Sequence, residues 1–267
     1  MSYLIEKKST DGYKVRFFDY DGTILSTQYI SLGGEAQAPI APTHDRLTFL
    51  SWNNSFSDIQ HDLDVGALYG TLSGNTELDV TVTAVTGLSV TLYLSKSSNS
   101  LMTVSWGDTS SSTSSAYTAV SFTHTYSVAG NYTISINDSS EYFLGQGTSG
   151  TPIVDNNFQL INAYIGTLGP CNLSAYAFYE CCSLLEISMT NSITKSGNYV
   201  FFSCKSLDTI IFPSTFSSIG AYEFQVDYML TNVILPASMN SIGVSAFQSC
   251  ASLKSIIASG GGPISAN

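Results

Sequence analysis

The stretch AFYECCSLLEI, residues 177–187, returns as VFFSCKSLDTI at 200–210, EFQVDYMLTNV at 223–233 and AFQSCASLKSI at 246–256. Phe178, Phe201, Phe224 and Phe247 are each 23 residues apart, and so are Leu184, Leu207, Leu230 and Leu253. Ile187, Ile210, Val233 and Ile256 form a third column, and Cys181, Cys204, Asp227 and Cys250 a fourth. Ile219-Gly220 and Ile242-Gly243 align with Ser196-Gly197, and Pro213 aligns with Pro236. Six columns in one register specify a solenoid of 23-residue coils, each contributing one short strand such as Leu184-x-x-Ile187-x-Met189. A single coil cannot bury its apolar side, whereas stacked coils share a continuous core.

The pattern I-G-x-x-A-F-x-x-C-x-S-L-x-x-I-x-I-P resembles the BspA-like group of leucine-rich repeats over residues 155–258, with a degraded earlier coil through Ile161, Ile165 and Leu173. That resemblance implies bacterial surface or secreted proteins, and related virion proteins, that bind partners rather than catalyse.

Strand alternation predicts which side chains leave the core. With Leu184, Ile187 and Met189 inward, Glu186 and Ser188 point outward. The equivalent outward pairs are Thr209 with Ile211, Asn232 with Ile234, and Ser255 with Ile257. Ile211, Ile234 and Ile257 should therefore form an apolar column on an exposed sheet face, and Glu186, Thr209, Asn232 and Ser255 its polar neighbours. Such a stripe serves either as a partner-binding surface, or as a face covered by further copies of the chain, or as plain β-propensity. The segment ASGGGPISAN after Ile257 looks like a new coil without its Ala-Phe. The expectation is that the chain continues beyond it or that a partner chain covers this end.

Working back along the chain, Glu77–Leu94 alternates, followed by Thr103-Val-Ser-Trp-Gly-Asp108, a Ser/Thr tract, Phe122–Tyr126 and Ala129–Ile136. Trp106, Gly107, Asp108, His124, Tyr126, Gly130 and Tyr132 resemble the polycystic-kidney-disease domain, which implies an immunoglobulin-like β-sandwich. Thr109 stands where that family usually has Gly, a departure in a turn rather than in the core. Trp106 is expected as a core aromatic. His124 is expected to pack and hydrogen-bond, since no second His or carboxylate stands at metal-ligand spacing.

The first seventy residues read as Tyr13–Tyr20 and Thr23–Ile30 joined at a two-residue Asp21-Gly22 hairpin turn, then strands over Leu47–Trp52 and Leu63–Tyr69. Val15, Phe17, Asp19, Asp21, Gly22, Thr23, Leu25, Pro39, Pro42, Phe49, Trp52, Asp62, Val65, Ala67 and Tyr69 resemble the internalin B-repeat family. That implies a small β-grasp-like module acting as spacer or weak binder. The same FFDYDGTIL also fits the first motif of haloacid dehalogenase-like phosphatases, with Asp19 as nucleophile and Asp21 as general acid. Phosphoryl transfer of that kind needs a lysine, a magnesium-binding acidic pair and crossover helices. The next lysine is Lys96, and the intervening segments alternate like strands.

The whole reads as mainly β, in three parts: an internalin B-repeat-like module over 1–72, a polycystic-kidney-disease-like sandwich over 73–145, and a leucine-rich-repeat solenoid over 146–267. The chain has 267 residues, of which 43% are hydrophobic and only 11% charged, against about a quarter in typical domains. Nine Lys+Arg against 20 Asp+Glu leave a net charge of −11, a surface that repels phosphate backbones and argues against nucleic acid. No run of eighteen apolar residues suggests membrane insertion, and no secretory signal is visible at MSYLIEKKSTDGYKVRFF. The five cysteines, Cys171, Cys181, Cys182, Cys204 and Cys250, are odd in number and lack C-x-x-C spacing, so neither a disulfide framework nor a redox motif is expected. No catalytic residue, metal site or cofactor is expected. The function expected is non-enzymatic adhesion or receptor binding outside the cell, on a bacterial surface or a phage virion. The partner would be a host-cell surface protein or glycan, with a homo-oligomer or larger assembly compatible.

Overall fold

The computed structural model of the protein describes residues 12–83, 88–148, 151–154, 159–253 and 256, with the backbone of 265–266. Every regular element among them is a β-strand. The first sheet has the order β2-β1-β4-β3, from β1 (Tyr13–Phe18), β2 (Ile24–Ile30), β3 (Leu47–Trp52) and β4 (Leu63–Thr71). β1 and β4 run parallel at its centre, with Val15 beside Leu63 and Phe17 beside Val65. Val15, Phe17, Ala36, Ile59, Leu63 and Val65 form its core.

The turn between β1 and β2 is longer than the two-residue hairpin expected. Strand pairing stops at Phe18 and resumes at Ile24, because Asp19 takes a bond from Gly22 N (3.0 Å) and gives one to Thr23 O (2.8 Å). Asp21 Oδ1 accepts from Thr23 N at 2.9 Å, the local Asx bond that Asp-Gly sequences favour. Gly22 supplies the positive φ of 89°.

Two further sheets enclose the second core. One contains β5 (Thr76–Val82), β10 (Gly130–Asn137), β7 (Met102–Ser105) and β8 (Ser111–Ser114). The other contains β9 (Thr118–Thr125), β6 (Ser89–Lys96) and β11 (Tyr142–Leu144). The Ser/Thr tract after Trp106 is the edge strand β8, paired antiparallel with β7. Alternate residues Leu78, Val80, Val82, Val90, Leu92 and Leu94 point inward and are buried, as period-two patterning requires.

Both sheets run on into the repeats. β12 (Gln159–Tyr164) pairs antiparallel with β5 on one side and parallel with the first repeat strand, β14 (Glu186–Ser188), on the other. On the opposite flank β11 pairs parallel with β13 (Cys171–Leu173). The repeat strands continue as β15 (Thr209–Ile211) and β17 (Asn232–Ile234), in parallel register Thr209 to Asn232 and Ile210 to Val233. The second flank continues as β16 (Ser218–Ile219), β18 (Ser241–Ile242) and β19 (Ser265–Ala266). One hydrophobic core therefore extends from Leu78 of the sandwich to Ala246 of the repeats without interruption. The sandwich closes the amino-terminal end of the stack, the protection a solenoid end needs.

The turns between flank and strand carry the stack's periodicity in their backbone. Tyr176, Tyr199, Tyr222 and Ser245 all have positive φ, and so do Glu180, Ser203, Val226 and Ser249 four residues further on. Each turn donates to the next, as in Phe178 N to Val200 O, Phe201 N to Glu223 O and Phe224 N to Ala246 O. Inside, Phe178, Phe201, Phe224 and Phe247 stack ring on ring with centroids 5.2 Å apart.

Candidate functional site

The outward face of the repeat strands is occupied by the chain's own amino-terminal sheet. The isoleucine column exists, but Ile211 and Ile234 are buried with Phe18 and Leu68 in a cluster that joins the two parts. This corrects the expectation of an exposed stripe. The strand period predicts which side chains leave a sheet, but not what lies over them. β4 is the element that docks. All nine of its residues are buried, since Leu63 and Val65 face the module's own core while Leu68 faces the repeats. Gly66 comes so close to Ile211 that an added Cβ would overlap the isoleucine side chain, and Gly22 has the same relation to Thr209.

Two consecutive asparagines after β3 fix the register. Asn53 accepts from Gly66 N at 2.7 Å and donates to Phe212 O at 3.0 Å. Asn54 donates to Asp64 O at 3.0 Å and Leu235 O at 2.9 Å, and accepts from Ala237 N at 2.8 Å. Phe212 and Leu235 are equivalent positions in successive coils, so each asparagine reads one coil. Ser188 adds a bond to Tyr69 O at 2.8 Å.

A polar junction joins all three parts. Tyr20 and Tyr164 both donate to Glu186 Oε2 at 3.1 Å. Burial, then the neighbouring Glu186, pushes the Tyr164 hydroxyl up to about 12, which keeps it a donor. Arg46 reaches from the first sheet to Asp79 at 2.5 Å and stacks over Tyr164 at 5.1 Å. Burial of Asp79 alone would raise its pKa, but bonds from Arg46, Asn162 and Thr133 hold it below the usual carboxylate range.

The predicted site residues thus have structural partners. Thr209, Ile211 and Ile234 are buried; Glu186 and Asn232 are half-buried, with Asn232 donating to Thr209 Oγ1 at 3.1 Å. Ser255 and Ile257 lie outside the described residues. The sequence reading missed Asn53 and Asn54, which carry no pattern. It also missed the burial of β4, whose LDVGALYGT lacks the polar alternation of a one-sided strand; that was a usable signal.

Asp19 is not placed as a phosphatase nucleophile. It is buried, paired with His44 Nε2 at 3.0 Å and bonded to Tyr20 N at 2.9 Å. Lys96 sits in the sandwich, paired with Asp138 at 3.2 Å with both side chains fully buried. An antiparallel hairpin follows Asp19 where a crossover helix would be needed. Trp106 is fully buried, and His124 stacks on it at 5.0 Å while bonding Asp108 at 2.7 Å. Among the described residues no three His, Cys, Asp or Glu side chains are grouped to hold a metal.

The flank away from the docked sheet is open. Tyr176, Tyr199 and Tyr222 form a half-exposed ladder with parallel rings 5.1 and 4.9 Å apart, and Tyr179 stacks on Phe202 at 5.0 Å beside it. Next to the ladder, between β11, β13 and Thr194–Gly197, lies a groove of about 600 Å³.

Residues 171–261 match the family model of the BspA type leucine rich repeat region in six copies. This part of the chain is a BspA-type leucine-rich repeat region. The chain is similar to a leucine-rich repeat protein from Bacteroides ovatus, at 30% identity over 36% of this chain and 24% of that one, with a TM-score of 0.32. It is also similar to a leucine rich cell surface protein from Faecalibacterium prausnitzii, at 24% identity over 36% and 32% of the two chains, TM-score 0.33. A leucine rich repeat protein of T. pallidum matches at 23% identity over 44% of this chain and 63% of that one, TM-score 0.32. The chain thus spans less than two thirds of each of these proteins. No curated protein matches it.

Proposed function

We propose that the protein is a non-enzymatic recognition protein of the cell exterior, acting in adhesion or receptor binding. The BspA-type region supports this reading, and so does the cell-surface description of the F. prausnitzii relative. The carrying observation is the continuous core of sandwich and repeats with the amino-terminal sheet clasped to the strand face. It makes the molecule one rigid body and leaves the tyrosine-bearing flank, rather than the strand face, free for a partner. Glu186, Thr209, Ile211, Asn232 and Ile234 then serve recognition indirectly, by holding the module that stiffens the repeats. The partner in this reading is a host-cell surface protein or glycan. The setting is a bacterial surface or a phage virion.

The β2-β1-β4-β3 order with its central parallel pair supports the internalin B-repeat-like resemblance of residues 1–72. The buried Trp106 with its Asp108–His124 pair supports the polycystic-kidney-disease-like resemblance of 73–145. The 23-residue spacing of paired Thr209 and Asn232 supports a 23-residue coil.

The test is binding of the labelled full chain to candidate host cells, with Tyr199→Ser and Tyr222→Ser as flank variants and Tyr29→Ser as a control on the first sheet. Saturable binding weakened by the flank variants alone is expected. Absence of saturable binding to any cell type, or equal loss in all three variants, overturns the proposal.

A further inference from the structure

We propose that the groove between β11, β13 and Thr194–Gly197 is a binding site for an uncharged saccharide, which gives the recognition function proposed above a ligand class and an address. The groove of about 600 Å³ falls within the size of small-ligand sites, roughly 300–1,000 Å³. Phe143 offers a half-buried ring, and Glu141, Asn172, Ser174, Thr194 and Lys195 surround it with donors and acceptors. Asn172 Nδ2 already donates to Glu141 Oε1 at 3.2 Å. That leaves Asn172 Oδ1 and the second Glu141 oxygen as acceptors, beside the hydroxyls of Ser174 and Thr194. One apolar plate ringed by both kinds of hydrogen-bonding group suits a ligand with a flat aliphatic face and many hydroxyls. A lipid or apolar peptide would need a more apolar lining. One carboxylate and one ammonium balance locally, and a molecular charge of −11 repels polyanions, so the saccharide is neutral.

The groove lies where the repeat departs from its own pattern. Ser196 stands in the column of Leu173, Ile219 and Ile242, and Glu223 in the column of Ala177, Val200 and Ala246. The two departures fit each other, since Ser196 Oγ donates to the buried Glu223 Oε2. Thr194–Gly197 joins no strand ladder among the described residues, although β13 before it and β16 and β18 after it do. Among the described residues this is the one coil of the four whose flank segment forms no strand, and it is tied to the next coil by the bond from Ser217 N to Thr194 O at 3.0 Å. The tyrosine ladder begins at its rim, because Tyr176 follows the groove residue Ala175 and bonds Asn198 O at 3.1 Å. A chain of several sugar units leaving the groove would run along rings spaced about one coil apart.

The experiment is calorimetric titration of the full chain with neutral tetrasaccharides of glucose, mannose, galactose and N-acetylglucosamine, and with sialylated and sulfated counterparts. At least one neutral tetrasaccharide is expected to bind, more tightly than its disaccharide. Phe143→Ala, Asn172→Ala and the surface change Thr194→Ala should each weaken it, the first two by roughly tenfold or more, while Tyr29→Ser leaves it unchanged. No binding by any neutral tetrasaccharide, preference for the anionic ones, or indifference to all three groove variants overturns the site. Cell binding that survives both periodate treatment of the cells and the groove variants sinks the saccharide while leaving the recognition function standing.

Discussion

Gly66 lies against Ile211 with no room for a methyl group between them. The contact joins the central docking strand of the first sheet to the face of the repeats, at a point where both backbones are fixed by their own ladders. Gly66→Ala should therefore loosen the docked sheet, at about 1–3 kcal/mol for an overpacked site. Ile211→Ala removes the clashing atoms at the expense of a cavity. The double variant should be less destabilised than the sum of the singles, a positive coupling measured by denaturant unfolding of all four proteins. Additive singles would show that the two residues do not meet.

Asn54 uses both ends of its amide across the same interface, while Asn53 donates across it to Phe212 O and holds Gly66 N of its own sheet with its oxygen. Replacing either with Ala removes a bond to a buried coil carbonyl, Phe212 O or Leu235 O, and an unmade buried bond costs about 1–3 kcal/mol. Asn53→Asp should be worse than Asn53→Ala in one respect, because a carboxylate facing Phe212 O repels it. Hydrogen exchange read by mass spectrometry should show faster exchange in β1–β4 for these variants and unchanged protection in β5, β6 and β10. Uniform loss throughout would mean that the first sheet and the rest unfold as one unit.

The solenoid was legible from residue spacing because Phe178, Phe201, Phe224 and Phe247 must stack on one another, and any deviation would misplace every later ring. The cover on the strand face was not legible. Ile211 and Ile234 leave the sheet as the strand period requires, but a two-residue period is silent on whether water or Leu68 meets them. β12 was read only as part of a degraded coil through Ile161 and Ile165, and its pairing with the sandwich was not seen, for a related reason. Leu160, Ala163 and Ile165 fit a sandwich strand and a coil strand equally, and the segment is both. The hairpin at Asp21-Gly22 was placed correctly in the chain but too tight, since Asp19 is drawn into the turn by His44 and Tyr20 N.

All five cysteines are free thiols, but they differ in reach. Cys171, Cys181 and Cys204 are buried, and Cys182 is exposed. Burial pushes the Cys171 and Cys181 thiols up to about 12, and a thiolate is the form that reacts. Cys204 Sγ is also held by Phe178 O at 3.1 Å, and Cys250 Sγ by Phe224 O at 2.9 Å. In the native protein near neutral pH, a maleimide should modify Cys182 first and Cys171, Cys181 and Cys204 only after denaturation. Peptide mapping by mass spectrometry reads the order. Early labelling of Cys204 would contradict the stacked core.

Glu223 and Asp227 place two carboxyls in the interior of a single coil, both fully buried. Burial pushes Glu223 up to about 8 against the bonds from Ser196 and Gly220 N, and pushes Asp227 up to about 9. Both groups are thus neutral in the folded protein at pH 7 and ionised in the unfolded chain. The folded state then holds more protons than the unfolded one, so stability falls as pH rises. Their contribution is intact below the unfolded values, near 4, and is lost progressively until the pH passes about 8 to 9. The slope approaches about 1.4 kcal/mol per pH unit for each group. Asp79, held low by bonds from Arg46, Asn162 and Thr133, works in the opposite sense: its stabilisation is present above the unfolded carboxylate value and is lost as pH falls through the lowered folded one. Glu223→Ala and Asp227→Cys restore what neighbouring coils carry in those columns. Asp227→Cys also supplies a thiol able to bond Phe201 O as Cys204 bonds Phe178 O. The double variant should have a higher midpoint of thermal unfolding at pH 8 than the parent, and nearly the same one at pH 4.5. A parent protein whose stability is flat or rising between pH 5 and 8, with the variant parallel to it, would show that these carboxyls are ionised or hydrated in the fold.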